Sequence, residues 1–138
     1  DGLKLKGKLA ISLNGKIIQE VDNLVVTAGK GYVASRMKDA TATAMSHMAI
    51  GSGSTAAAAS DTALGNQLGR VALTSTTVSS AVVTYVASFP AGTGTGAVTE
   101  AAILNASSGG TMLCRTVFSV VNKGAQDSMT VTWTVTVS

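Results

Sequence analysis

The sequence predicts an all-β protein, a β-sandwich or small barrel of about seven or eight strands, with one short helix near 28–39 and an N-terminal β-hairpin. Three observations carry this. Two stretches, Leu3–Leu13 and Thr130–Val137, alternate apolar and polar residues with period two, the signature of a strand with one covered face. Turn residues recur every 8–15 positions along the rest. Val and Thr, both β-branched, are among the commonest residues.

Taken in order, Leu3, Leu5, Leu9, Ile11 and Leu13 fall on one face of the first strand, and Lys4, Lys6, Lys8, Ala10 and Ser12 on the other. Gly7 interrupts the apolar face and predicts a bulge or bend. Asn14-Gly15 marks a hairpin turn, because both residue types tolerate positive φ. The return strand has two registers: Ile17, Gln19 and Val21 on the inner face, or Ile18 and Glu20 opposite Ile11 and Leu9. Thr27 is the expected N-cap of the helix, with Tyr32, Val33 and Met37 facing inward. Met45–Ile50 reads as a strand. Residues 51–61 read as a small-residue loop with room for a helical turn at the alanines. Strands follow near 68–78, 81–89, 97–105, 111–121 and 129–137, with a hairpin loop at 105–110. Residues 1–22 are assigned to a hairpin or arm, and 23–138 to a single β-domain that contains the helix. One domain is what 138 residues accommodate.

Charge is scarce and unevenly placed. Only 12% of residues are charged, about half the usual globular share. Residues 1–40 hold eleven of the seventeen charges and the whole net charge of +3. A free monomer ordinarily keeps more charge on its surface. The deficit suggests a surface covered by other protein, against the alternative of a domain kept in solution by Thr and Ser hydroxyls. No apolar run is long enough for a membrane span. No leader pattern is visible at the start, which is Asp1 rather than Met, and a trimmed start is expected.

The residues that carry chemistry are few. His47 is the single histidine and Cys114 the single cysteine, far apart in sequence, and no G-x-S-x-G elbow is present. Cys114 cannot form an internal disulfide and reads as a buried apolar residue. Asp22, Asp39 and Asp61 fall at turns or helix ends. Glu100 stands in an apolar run, where an unpaired buried carboxylate costs several kcal/mol. It therefore calls for a structural ion pair, with Arg70 and Arg115 as the candidates. Gly51-Ser52-Gly53 lacks the third glycine of a dinucleotide fingerprint, and Gly92–Gly96 leads into a strand rather than a helix. Both read as flexible loops. No metal, cofactor or catalytic constellation is expected. The lysine row of the first strand is a candidate contact surface for an acidic protein neighbour, against the alternative of a simple solvated face. Nucleic acid is disfavoured because aromatic residues do not interleave it.

Several stretches resemble one family. Ala49-Ile50-Gly51-Ser52-Gly53-Ser54-Thr55, the alanines 56–59, Asp61-Thr62-Ala63-Leu64-Gly65 and Arg70 resemble a segment of tailed-bacteriophage virion proteins. That segment recurs in tail-fibre (tail-collar) N-terminal modules and in small stand-alone virion proteins. Asn23-Leu24-Val25-Val26 with Gly29, Glu100-Ala101-Ala102-Ile103, Gly110-Thr111-Met112-Leu113 with Arg115, and Val121 with Lys123 resemble its flanks. The resemblance covers roughly residues 23 to 137. The chain departs from it at Gln67, where an acid is common, and at Ala102, where Gly is common. The resemblance implies a virion structural role without enzymatic activity.

The expected function is thus capsid decoration, a cement protein on the capsid exterior, assembled in the host cytoplasm. A small lone chain favours this over a fibre. Its partners would be itself, as a homotrimer, and the major capsid protein or other virion proteins, with no nucleic acid, membrane or cofactor. The expected contact residues are Leu3, Lys4, Leu5, Lys6 and Lys8. The alternatives are a tail, neck or fibre-attachment protein, and a receptor- or glycan-binding β-sandwich.

Overall fold

The computed structural model describes residues 2–39 and 41–138. The fold is all-β with a single short helix among the described residues. In chain order the elements are β1 (Leu5–Leu13), β2 (Lys16–Val25), α1 (Thr27–Lys38), β3 (His47–Gly51), β4 (Gln67–Ala72), β5 (Ser75–Ser79), β6 (Val82–Phe89), β7 (Gly96–Leu104), β8 (Met112–Lys123) and β9 (Met129–Val137). The strands form one antiparallel sheet in the order β4-β3-β7-β8-β2-β1-β9-β6-β5.

The sheet curls on itself at β2. The first part of β2 pairs with β1, and its last residues, Leu24 and Val25, pair with Arg115 and Cys114 of β8. This makes a front leaf (β5, β6, β9, β1, β2) and a back leaf (β2, β8, β7, β3, β4). Leu9, Trp133 and Phe89 from the front leaf meet Met48, Ile50 and Ile103 from the back leaf in one core. Alternation along β9 buries Val131, Trp133 and Val135 and turns Thr130, Thr132, Thr134 and Thr136 outward.

Nine strands form because the expected strand at 68–78 divides at Leu73-Thr74. Its first half joins β3 on the back leaf, and its second half joins β6 on the front leaf. The hairpin expected at 1–22 is present, built into the sheet. β1 is an inner strand, paired with β9 from Leu5↔Val137 to Leu13↔Met129, and its Leu9 and Ile11 are fully buried. A strand this apolar on one face finds its cover in its own core.

The hairpin register is settled by a bulge. Asn14 (φ 51°) and Gly15 (φ 83°) form the two-residue turn between Leu13 and Lys16. Ser12 pairs with Ile17 and Ile11 with Gln19, so Ile18 is the extra residue. The bulge shifts the phase of the return strand by one residue and sets Val21 opposite Leu9. Gly7 is not at a bulge; it pairs regularly with Val135 and Asn23. A Cβ there would lie 1.5 Å from Asn23 Oδ1, and that oxygen accepts the Trp133 indole N–H at 3.0 Å. Gly7 thus leaves room for the side chain that satisfies the buried tryptophan.

The helix runs from Thr27 to Lys38, with Val26 rather than Thr27 as N-cap and no side-chain cap bond. The Thr27 N–H donates to the Ala59 carbonyl instead, at 2.8 Å. Tyr32 and Val33 pack on the core at the open end of the sandwich, whereas Met37 is 78% exposed rather than inward. The alanines at 56–59 form no helix, only a turn at Ala59-Ser60.

Candidate functional site

The back leaf holds the most elaborate polar arrangement. Along β7, Ala101 and Ile103 face the main core, while Glu100, Ala102 and Leu104 face the other way. That outer face is covered by the chain's own 52–66 loop. Glu100 is fully buried there and accepts five hydrogen bonds. Its Oε2 receives the amides of Gly53 (2.7 Å) and Asn66 (2.8 Å). Its Oε1 receives the Gly65 amide (2.8 Å) and the Arg115 Nε and Nη2 (3.1 and 3.0 Å). Burial pushes the Glu100 carboxyl up, but the Asn66, Gly65 and Gly53 amides and Arg115 outweigh it and hold the group below its ordinary value.

Arg115 carries the network outward. Its Nη1 binds Asp61 Oδ2 at 2.9 Å, and its Nη2 binds the Thr55 carbonyl at 3.0 Å. Asp61 Oδ2 also receives the Ala58 amide at 2.8 Å. The Gly51-Ser52-Gly53 loop is therefore pinned rather than flexible. A Cβ on Gly53 would sit 2.5 Å from Glu100 Oε2, so glycine is what lets the backbone amide reach the carboxylate. The arrangement is a latch: one carboxylate on a strand ties down a long loop. With every donor directed at it and no solvent access, Glu100 is built to hold structure rather than to move protons.

Of the two candidate arginines, the structure pairs Glu100 with Arg115 and not with Arg70. Arg115 lies opposite Ala102 on the adjacent strand, diagonal to Glu100. Arg70 lies two strands away, opposite Ala49 on edge strand β4. Two strand spacings of about 4.8 Å each separate it from β7, against one for Arg115. Arg70 instead donates to Gln67 Oε1 and to the carbonyls of Ala106 and Gly109. Lys123 is buried too, donating to the carbonyls of Pro90 (2.9 Å) and Asp127 (2.7 Å). Burial lowers its pKa, against the pull of Asp127.

The other candidate site is at the open end of the sandwich. An apolar cleft of about 290 Å³ lies between α1 and the strand ends, lined by Leu5, Tyr32, Val33, Met37, Val83 and Val137, among others. It runs into a second apolar depression that adds Leu3 and Lys30. Leu3, Lys4, Leu5, Lys6 and Lys30 line the neighbouring surface. Leu3 is 81% exposed. Four of the five expected contact residues, Leu3, Lys4, Leu5 and Lys6, thus meet at one place. Lys8 does not join them; it lies along the sheet with its ammonium 3.4 Å from Glu20. Sequence reasoning missed Lys30, Met37 and Val137, because nothing in the helix pattern reveals which strand end it will sit over. Burial pushes the Tyr85 hydroxyl at the base of the cleft up to about 12, with Tyr32 and Cys114 adding to the push, so it stays neutral at physiological pH.

Elsewhere, His47 Nδ1 shares a 2.7 Å hydrogen bond with its chain neighbour, Ser46 Oγ. Cys114 is fully buried, and burial pushes its thiol well above the ordinary value, away from the nucleophilic thiolate. Among the described residues no cluster of His, Cys, Asp and Glu is suited to a metal ion, and no helix is long and apolar enough to cross a membrane. Comparison with family models, curated proteins and solved structures gives no match for the chain.

Proposed function

We propose that this chain is a non-enzymatic structural protein of a tailed-phage virion, a decoration (cement) protein that braces the capsid from outside. It would do so by seating its basic, apolar end on an acidic patch of a neighbouring shell protein. The observation that carries this reading is the cleft itself. Exposed apolar side chains (Leu3, Met37) stand beside Lys4, Lys6 and Lys30. An apolar pocket with a charged rim is the usual anatomy of a protein contact, with the apolar centre giving affinity and the rim giving orientation and rate. The resemblance of residues 23–137 to virion proteins points the same way. Trp133, the residue best suited to stack on a sugar, is fully buried and bonded to Asn23, which disfavours the glycan-binding alternative.

The test is add-back of purified protein to particles stripped of it. The wild-type chain is expected to rebind, to raise the melting temperature of the particle, and to bind less as salt rises. Lys4→Glu with Lys6→Glu should weaken binding at least about ten-fold, because each rim charge is inverted, while the isolated fold melts unchanged. Rebinding unaffected by the double change would remove this surface from the account. Co-sedimentation with tails and not heads would move the proposal to the tail or neck.

A further inference from the structure

β5 ends the sheet on the front leaf, and it is the one strand of the nine in which every residue is exposed. Natural edge strands are ordinarily blunted by charge, proline or a bulge, because their free N–H and C=O groups invite another strand. β5 carries none of these. Residues 71–89 contain no charged residue and no proline, and β5 pairs with β6 without a register shift. Val78 is 70% exposed beside its cross-strand neighbour Val83. The other edge, β4, is different: it carries Arg70, and Gly69 packs against the Thr93-Gly94 turn.

We propose that β5 is an assembly edge that pairs, antiparallel and about a two-fold axis at Thr77, with β5 of a second copy of this chain. The sequence Ser75-Thr76-Thr77-Val78-Ser79 is suited to itself in that register. Thr77 meets Thr77 of the partner subunit, Ser75 meets Ser79 of the partner subunit, and Val78 covers Thr76 of the partner subunit. Every such pair is neutral, so none repels, and residues on one face stay on that face. The paired leaves continue into one wider sheet. Five residues per copy bury far less than the roughly 800 Å² per partner of a stable complex. The contact is therefore weak in dilute solution and becomes strong where many copies are held side by side. It goes beyond the virion reading and does not depend on it. Being two-fold, it makes dimers and not the trimer that the sequence suggests.

Sedimentation velocity of the full chain over rising concentration tests it. The wild type is expected to pass from monomer to dimer. Thr77→Lys and Thr77→Glu each place like charges opposite one another and should weaken dimerisation at least ten-fold without lowering the melting temperature. An equimolar mixture of the two variants should dimerise again, which a merely damaged surface would not do. A wild type that stays monomeric at every concentration, a trimer, or variants that associate as well as the wild type would each overturn the proposal.

Discussion

The charges of the two parts of this chain have opposite fates. All ten described charged residues before Ala40, from Lys4 to Asp39, are exposed. All six after it, Asp61, Arg70, Glu100, Arg115, Lys123 and Asp127, are buried or half-buried. Within the first group, Lys4, Lys6 and Lys30 gather at the helix end and make it basic. The second is drawn inward to fasten loops: Arg115 with Glu100 and Asp61 holds the 52–66 loop, and Lys123 with Asp127 holds the β8–β9 turn near Pro90 and Asn14. The fully exposed residues of 41–138 are all uncharged, chiefly Ser, Thr, Ala and Gly. The difference shows that a low surface charge can arise in two steps: few charges are encoded, and those few are then tied into loops, with Glu100, Arg115 and Lys123 buried outright.

The change that breaks this contrast most severely is Glu100→Ala. It leaves the Arg115 guanidinium buried beside an empty cradle, and losing one member of such a pair costs about 3–5 kcal/mol. Denaturant unfolding should report that loss, with the 52–66 loop becoming open to proteolysis. The same network can be probed without mutation. The Glu100 carboxyl is held below its ordinary value of 4.5, so its contribution is complete above that pH and is lost as pH falls through the folded value. Stability should decline below about pH 4.5 in the wild type, and that part of the decline should vanish in Glu100→Gln. A smaller effect is expected of Gly53→Ala, where the new methyl meets a carboxylate fixed by five donors. About 1–3 kcal/mol is the usual cost of such overpacking. If this variant is as stable as the wild type, the loop is looser than the hydrogen bonds imply. The smallest effect belongs to the outer face of the front leaf: Thr132→Ala, next to Ala10 and Val86, should change stability by no more than about 0.5 kcal/mol in thermal melts.

The strands were the legible part of this fold, because period-two alternation at Leu3–Leu13 and Thr130–Val137 is a local property of the chain. The partner of Glu100 was legible only as a need. A carboxylate in an apolar run demands a cation, but the choice between Arg70 and Arg115 depends on strand order, which separates one by two strands and places the other diagonally adjacent. The amides of Gly53, Gly65 and Asn66 left no signal beyond their glycines, since a backbone donor has no side chain to announce it. The division of 68–78 at Leu73-Thr74 was hidden for a related reason: β-forming residues continue across the corner, and only the curl of the sheet decides that the two halves join different leaves. Gly7 misled for the opposite reason. Its cause lies in Asn23 and Trp133, distant in sequence and adjacent in space.

In the proposed function, the exposed charge and apolar cleft at the helix end form the contact by which this chain braces a shell. The location of the chain in an electron-microscopy map of the particle that carries it would test this most directly. Density for the chain is expected on the outside of the head, with Leu3, Lys4, Lys6 and Met37 turned into an acidic neighbour. A particle without the chain, or one in which that end points into solvent, would contradict it.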